Sequence, residues 1–185
     1  VKEIKTENYL HNHTRMWFAS IWIFTLNLPW ELGARFFMKH LFDGDAASNT
    51  LSWRWVAGIQ TQGKNYLARE SNIRKFTNQR YMNTSLNENA LPLENYQVYS
   101  PQEIRHLHTE QKYKNLVLFE SDLNVNGRQC FFKNYKNIFL VLLDNKQRNV
   151  ELDEKVLNFK KTLQEAFISE IANSQIVSED TFMTL

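Results

Sequence analysis

The sequence predicts a mainly α-helical first part followed by a small α/β segment. Three observations carry this. All five tryptophans fall before residue 56, among apolar residues at helical spacing. Residues 115–119 and 137–143 are short apolar runs of the kind that form buried strands. Between 151 and 171, Leu152, Val156, Phe159, Leu163, Phe167 and Ile171 recur every three or four positions, the stripe of an amphipathic helix. The chain is therefore expected to divide into a helical part, 1–100, and an α/β part, 101–185.

Taken in order, residues 15–26 read as an apolar-rich helix. Pro29 interrupts it, because proline cannot continue a helix but is tolerated in the first turn of the next. A helix over 29–41 follows, with Trp30, Gly33, Phe36, Phe37 and Leu41 at helical spacing. Asp43, Gly44 and Asp45 are turn-like, and 46–59 reads as a further helix. Residues 60–100 are polar and read as loops with short helices. In the second part, strand, connection, strand and helix, with a third strand at 175–177, suggest part of an α/β layer. The sequence shows no internal repeat and no low-complexity segment.

The composition excludes several classes. No uninterrupted apolar run is long enough for a transmembrane helix, so no membrane partner is expected. Cys130 stands alone, which rules out an intramolecular disulfide and points to a reducing, cytoplasmic setting. The net charge is +2, but residues 1–85 carry 11 Lys and Arg against 6 Asp and Glu, and the remainder carries 11 against 14. A basic first half suits either a nucleic-acid face or ordinary solvated surface. His11/His13 and His106/His108 lack partners at metal-ligand spacing, so no metal is expected. No glycine-rich phosphate loop is present.

The most informative stretch is 41–55. It gathers Asp43, Asp45, Asn49, Trp53 and Trp55 in one short segment. That mixture suits a polar-and-aromatic pocket for a flat, redox-active ligand better than a plain core helix or a solvated loop.

The segment resembles the flavin-cradling motif of the DNA photolyase/cryptochrome family. Leu10-His-Asn12-His-Thr-Arg15-Met16 resembles that family's M-H-N-x-x-R-M helix. The stretch from Trp30 through Gly33 and Phe36/Phe37 to Leu41 is similar to its W-x-x-G-x-x-x-F-x-x-x-L helix. Tyr66-Leu-Ala-Arg69-Glu-Ser-Asn72 resembles the stretch that follows. The likeness covers about residues 9–81, four pieces in the right order. It implies the C-terminal part of a photolyase-type helical FAD-binding domain, with FAD as cofactor.

By resemblance, Arg15 and Asp43 form an ion pair beside the flavin ring, Asp45 reaches its pyrimidine edge, and Asn49 faces N5. Trp53 and Trp30 are similar to the first two members of a light-driven electron relay, and both also suit a core. Asn12, Met16 and Trp55 are expected on the side of the substrate, damaged DNA whose target must leave the duplex. Arg69 contacts a nucleic-acid backbone or pairs with Glu70 or Asp45. The implied activity is that of a deoxyribodipyrimidine photolyase-like lyase, in which reduced FAD passes an electron to a pyrimidine dimer in light. Two alternatives stand beside it: a cryptochrome-like light or redox sensor without repair activity, and a noncatalytic helical interaction module that has lost FAD. His13-Thr14 and Tyr9-Leu10 depart from the pattern of DNA-repairing members.

The chain begins at Val1 and enters a helical pattern at once, so it is expected to be the later portion of a longer protein. In the family, upstream residues contact the FAD phosphates and adenine. The stretch by itself is therefore expected to fold without necessarily retaining FAD, and to self-associate through uncovered apolar pocket surface. Leu116 to Leu123 faintly resembles the first strand and turn of the family's antenna domain, which normally precedes the flavin domain.

Overall fold

The computed structural model describes residues 1–82, 85–94, 100, 103 and 113–184. The chain forms two compact units, Val1–Val98 and Tyr99–Leu185. The histidine pair at 106 and 108 lies outside the described residues.

The first unit is helical. Helix α1 (Lys2–Glu7) ends at Asn8, whose φ of 52° turns the chain out of the helix. Helix α2 (Asn12–Ser20) starts three residues earlier than its apolar pattern suggests, because the His11 side chain caps the His13 N–H. It runs on into a π-helical turn, Ile21–Thr25, closed by Leu26 N–H donating to the Ile21 carbonyl at 2.9 Å. Asn27, at φ 52°, then leads to Pro29.

Pro29 is the N-cap of α3 (Trp30–His40). Helix α4 (Ala46–Ala57) starts where the Asp45 carboxylate accepts the Ser48 N–H. It stops at Gly58, whose φ of +80° continues the chain in the left-handed region. Tyr66 N–H and Leu93 N–H then return to the carbonyls of Val56 and Ala57. Helix α5 (Glu70–Phe76) is the short helix of the polar stretch.

The core of this unit joins Ile4, Leu10, Ala19, Ile23, Phe24, Ala34, Phe37, Leu41, Trp53, Val56 and Ala57. Trp53 sits at its centre, 2 % exposed. Gly33 of α3 makes room for it: a Cβ there would lie 2.1 Å from Trp53 Cη2.

The second unit is a three-stranded parallel sheet with helices. Strands β1 (Asn115–Leu118), β2 (Asn137–Leu142) and β3 (Ser174–Ser178) lie in the order β1-β2-β3. Leu118 pairs with Leu140, and Leu140 with Ile176. A short helix α6 (Gln129–Phe132) lies on the connection from β1 to β2, and α7 (Glu154–Glu170) on the connection from β2 to β3. Helix α7 begins three residues later than its apolar stripe because Asp153 caps it, accepting from Lys155 N–H. Phe132, Phe167 and Ile171 cover Leu118, Ile138 and Leu140. A terminal helix α8 (Glu179–Phe182) follows β3.

Beyond the sheet's carboxyl edge, Glu120 accepts a bidentate pair of bonds from Arg148 at 2.8 and 2.5 Å, and Lys160 stands 3.2 Å away. All three side chains are nearly buried, at 11–13 % exposure. Burial alone would raise the Glu120 carboxyl. The Arg148 hydrogen bond and the charges of Lys160 and Arg148 outweigh it and hold the group below its ordinary value.

Candidate functional site

The first unit carries a cleft of about 750 Å³ between α2, the α3–α4 connection and α4. Its lining includes Asn12, Arg15, Met16, Asp43, Asp45, Asn49, Trp53 and Trp55. Eight of the ten residues singled out in the sequence thus meet around one cavity, although they come from three separate segments.

Each is placed by local structure. Asn12 is the first residue of α2, and Arg15 and Met16 follow one turn later on the same face. Arg15 is fixed twice: its Nε donates to the Leu10 carbonyl at 2.6 Å, and its Nη2 lies 3.0 Å from Asp43 Oδ2. Asp43 is largely exposed, so the pair lines the cleft instead of being sealed beneath it. Asp45 is held as the cap of α4 through Oδ1. Asn49, one turn into α4, donates Nδ2 to the Ala34 carbonyl at 2.7 Å, which fixes the plane of its amide.

Trp53 and Trp55 come from the next turn of α4. Trp53 closes the back of the cleft, its ring packed edge-to-face on Phe37 at 5.1 Å and on Phe18 and Trp22 at 6.3 Å. Its indole nitrogen is buried with no hydrogen-bond partner among the described residues. Trp55 is 40 % exposed and stacks on Tyr66 at 5.7 Å. Burial pushes the Tyr66 phenol above its ordinary value, with a hydrogen bond to Trp17 partly offsetting this.

The other two sequence-derived residues lie elsewhere. Trp30 opens α3, half-buried, with the Arg54 guanidinium 5.9 Å above its ring. Arg69 is exposed and lines a separate hollow of about 420 Å³ with Asn65, Tyr66, Leu67 and Asn72. Sequence reasoning missed the aromatic shell behind Trp53. Phe18 and Trp22 are four apart on one helical face, a spacing that would have flagged them.

The cleft suits part of a large planar cofactor. Its volume falls in the range of about 300–1,000 Å³ typical of ligand sites. It offers an apolar back wall, a fixed amide, a cation at the rim and an unsatisfied buried indole N–H.

The family model for the FAD binding domain of DNA photolyase matches residues 1–115. The chain belongs to the DNA photolyase/cryptochrome family. FAD is the cofactor this match indicates. Among curated relatives, the deoxyribodipyrimidine photo-lyase of Streptomyces griseus is 38 % identical over 86 residues, covering 40 % of this chain and 19 % of that protein. That of Escherichia coli is 35 % identical over 66 residues, 36 % of this chain and 14 % of its own length. Cryptochrome DASH of Idiomarina loihiensis is 32 % identical over 77 residues, 42 % and 17 % respectively. The chain thus spans a fifth or less of the length of the relatives it matches. No solved structure matches it. No helix among the described residues is long and apolar enough to cross a membrane, and no group of three or more His, Cys, Asp or Glu among them is placed to hold a metal ion.

Proposed function

We propose that this chain contributes the flavin-ring cleft and the substrate-facing wall of a light-driven DNA photolyase acting on pyrimidine dimers. The observation that carries the reading is the convergence of Asn12, Arg15, Met16, Asp43, Asp45, Asn49, Trp53 and Trp55 on one cleft. Bound FAD supplies light absorption and one-electron chemistry; the protein supplies position and field.

Arg15, held by Leu10 and Asp43, places a fixed positive charge at the rim, where it favours an electron-rich ring. Asn49 donates its amide N–H to the Ala34 carbonyl, so its own amide oxygen would be oriented to accept a hydrogen bond from a ring N–H without adding charge. Asp45 caps α4 through Oδ1 and lines the cleft, where it would face the pyrimidine edge of a bound flavin. Trp53 closes the apolar wall at the back of the cleft, against which a bound flavin ring would rest. On the substrate side, Trp55 stacked on Tyr66 forms a flat platform for an extruded base, a contact worth about 1–3 kcal/mol per base. Asn12 offers amide groups and Met16 a soft apolar contact. Exposed Arg69 contacts the DNA backbone from its separate hollow.

The test has two stages. The protein is mixed with FAD, desalted, and its visible spectrum recorded; a flavin band retained by wild type and lost in Asn49→Ala and Asp43→Ala is expected. Light-dependent splitting of a dimer-containing oligonucleotide is then measured in the full-length protein. Flavin retention without dimer splitting would assign the cleft to a light or redox sensor instead. Absence of flavin binding even in the full-length protein would leave a helical interaction module.

A further inference from the structure

We propose that Tyr66 is the positioning residue of the substrate wall: it fixes the plane of the Trp55 indole and so sets the preference for a damaged over an undamaged strand. This rests on the reading of Trp55 as a substrate contact. Trp55 projects from α4 with 40 % of its surface exposed. A side chain so open is free to change rotamer unless something packs behind it. Among the described residues, the ring stacked on it is that of Tyr66, at 5.7 Å between centroids and 27° between planes. One face of the indole is backed by protein in this way, while the residue still lines the cleft.

Tyr66 is itself held from several sides. Its N–H donates to the Val56 carbonyl at 3.0 Å, which pins its backbone next to Trp55 in α4. Two residues on, Ala68 N–H donates to the buried Ser20 hydroxyl at 2.7 Å. The ring packs against two apolar clusters, the main core and a smaller one of Trp17, Ala68 and Ile73. Its phenol oxygen accepts a hydrogen bond from the Trp17 indole. Trp17 is 7 % exposed, and its one N–H also donates to Asn72 Oδ1 at 3.0 Å, which ties the tyrosine to α5. Trp55 thus stands on a support that reaches back through Trp17 to two other helices.

The consequence is preorganisation. A pyrimidine dimer is covalently rigid and presents one fixed face. An undamaged base is a single flat ring that stacks on an indole in many orientations. A wall of fixed angle therefore favours the dimer, and a wall free to turn loses that preference. Tyrosine suits the task better than an aliphatic residue, because a flat ring holds the indole near parallel. It suits it better than phenylalanine, because the hydroxyl anchors the far end of the ring.

The experiment uses the full chain with FAD added, kept in the dark and labelled with 5-fluorotryptophan. Fluorine NMR follows the Trp55 resonance, assigned by its absence in Trp55→Phe, in wild type, Tyr66→Phe and Tyr66→Leu. Binding to a thymine-dimer oligonucleotide and to its undamaged twin is titrated for the same proteins and for Trp55→Ala. Tyr66→Leu should shift and broaden the Trp55 resonance, weaken dimer binding by at least about fivefold, and leave undamaged-strand binding and flavin retention within about twofold of wild type. Tyr66→Phe keeps the stack and loses only the phenol anchor, so it should fall between the two, and it carries the test if the leucine variant does not fold. A structural role alone would lower stability without changing the ratio of the two affinities. An unmoved Trp55 resonance, or an equal loss for both oligonucleotides, overturns the proposal. Loss of dimer binding in Trp55→Ala without loss in Tyr66→Leu removes the positioning role alone. Dimer binding unchanged in Trp55→Ala removes the substrate-wall reading, and the role of Tyr66 with it.

Discussion

Gly33→Ala tests the packing logic of the cleft's back wall. The added Cβ would lie 2.1, 2.4 and 2.9 Å from three atoms of the Trp53 ring, where ordinary contact begins at 3.4 Å. The ring must therefore retreat by more than 1 Å. Phe37, Phe18 and Trp22 already surround it. Overpacking of this kind costs about 1–3 kcal/mol, and the overlap puts this site at the upper end. Replacing glycine by alanine inside a helix returns about 1 kcal/mol. The net expectation is a loss of about 2 kcal/mol, a fall in melting midpoint of roughly 8–16 °C for a unit of this size. Tryptophan fluorescence is the right probe, because all five tryptophans lie in the first unit and the signal ignores the second. In a Trp53→Leu background most of the steric penalty should vanish, giving a coupling of at least about 1 kcal/mol in the double-mutant cycle. A midpoint that rises in Gly33→Ala, or a penalty of equal size in both backgrounds, would refute the argument.

Glu120→Gln should destabilise the second unit by about 3–5 kcal/mol, since it strands Arg148 and Lys160 nearly buried without their counter-charge; hydrogen exchange on β1 and β2 reads this. Because the folded Glu120 carboxyl sits below its ordinary 4.5, its stabilisation is complete above that value and is lost as pH falls through the depressed one. Acid unfolding of wild type should therefore carry this contribution, and Glu120→Gln should show a flatter profile below pH 4.5. Asp43→Asn should change stability by less than about 1 kcal/mol, given how exposed the pair is, while clearly lowering flavin retention. Asp45→Ala should cost about 0.5–2 kcal/mol through loss of the α4 cap, with Asp45→Asn keeping most of it in chemical denaturation. Asn8→Gly loses the side-chain clasp on the His40 carbonyl, and Asn8→Ala also meets strain at φ 52°, so alanine should cost about 1 kcal/mol more in the same assay.

The cleft was legible in the sequence because its residues sit in short local signatures. Asp43, Asp45 and Asn49 span a turn, a cap and the first turns of one helix, and Arg15 and Met16 share a face with Asn12. What was not legible depends on distant partners. The spacing of Phe18 and Trp22 marks them as sharing one helical face, but nothing local assigns that face to Trp53, which lies 31 positions beyond Trp22. The clustering of Glu120, Arg148 and Lys160 is likewise a product of the parallel sheet, whose crossovers bring loops and α7 together at one edge. Helix ends shifted by up to three residues wherever a side chain, His11 or Asp153, took over the first free N–H groups. Periodicity reports which face is buried; it does not report where a cap begins the helix.

The segment from Asn8 to Leu10 ties these parts together. Asn8 donates Nδ2 to the His40 carbonyl at 2.8 Å, and its own carbonyl accepts the Phe42 N–H at 2.9 Å. It therefore grips the end of α3 immediately before Asp43. Two residues on, the Leu10 carbonyl holds Arg15 Nε. Both members of the Arg15–Asp43 pair are thus positioned from the same short stretch of backbone. A surface ion pair alone contributes little and wanders; this one is held from behind on each side, so the charge at the cleft rim is fixed before any ligand arrives. That preorganisation matters more for an electron-rich ligand than the strength of the pair, because a field already in place needs no rearrangement when charge develops. It also explains why a nearly fully buried asparagine occupies a left-handed position that glycine would fill more cheaply: its side chain supplies a contact that glycine lacks.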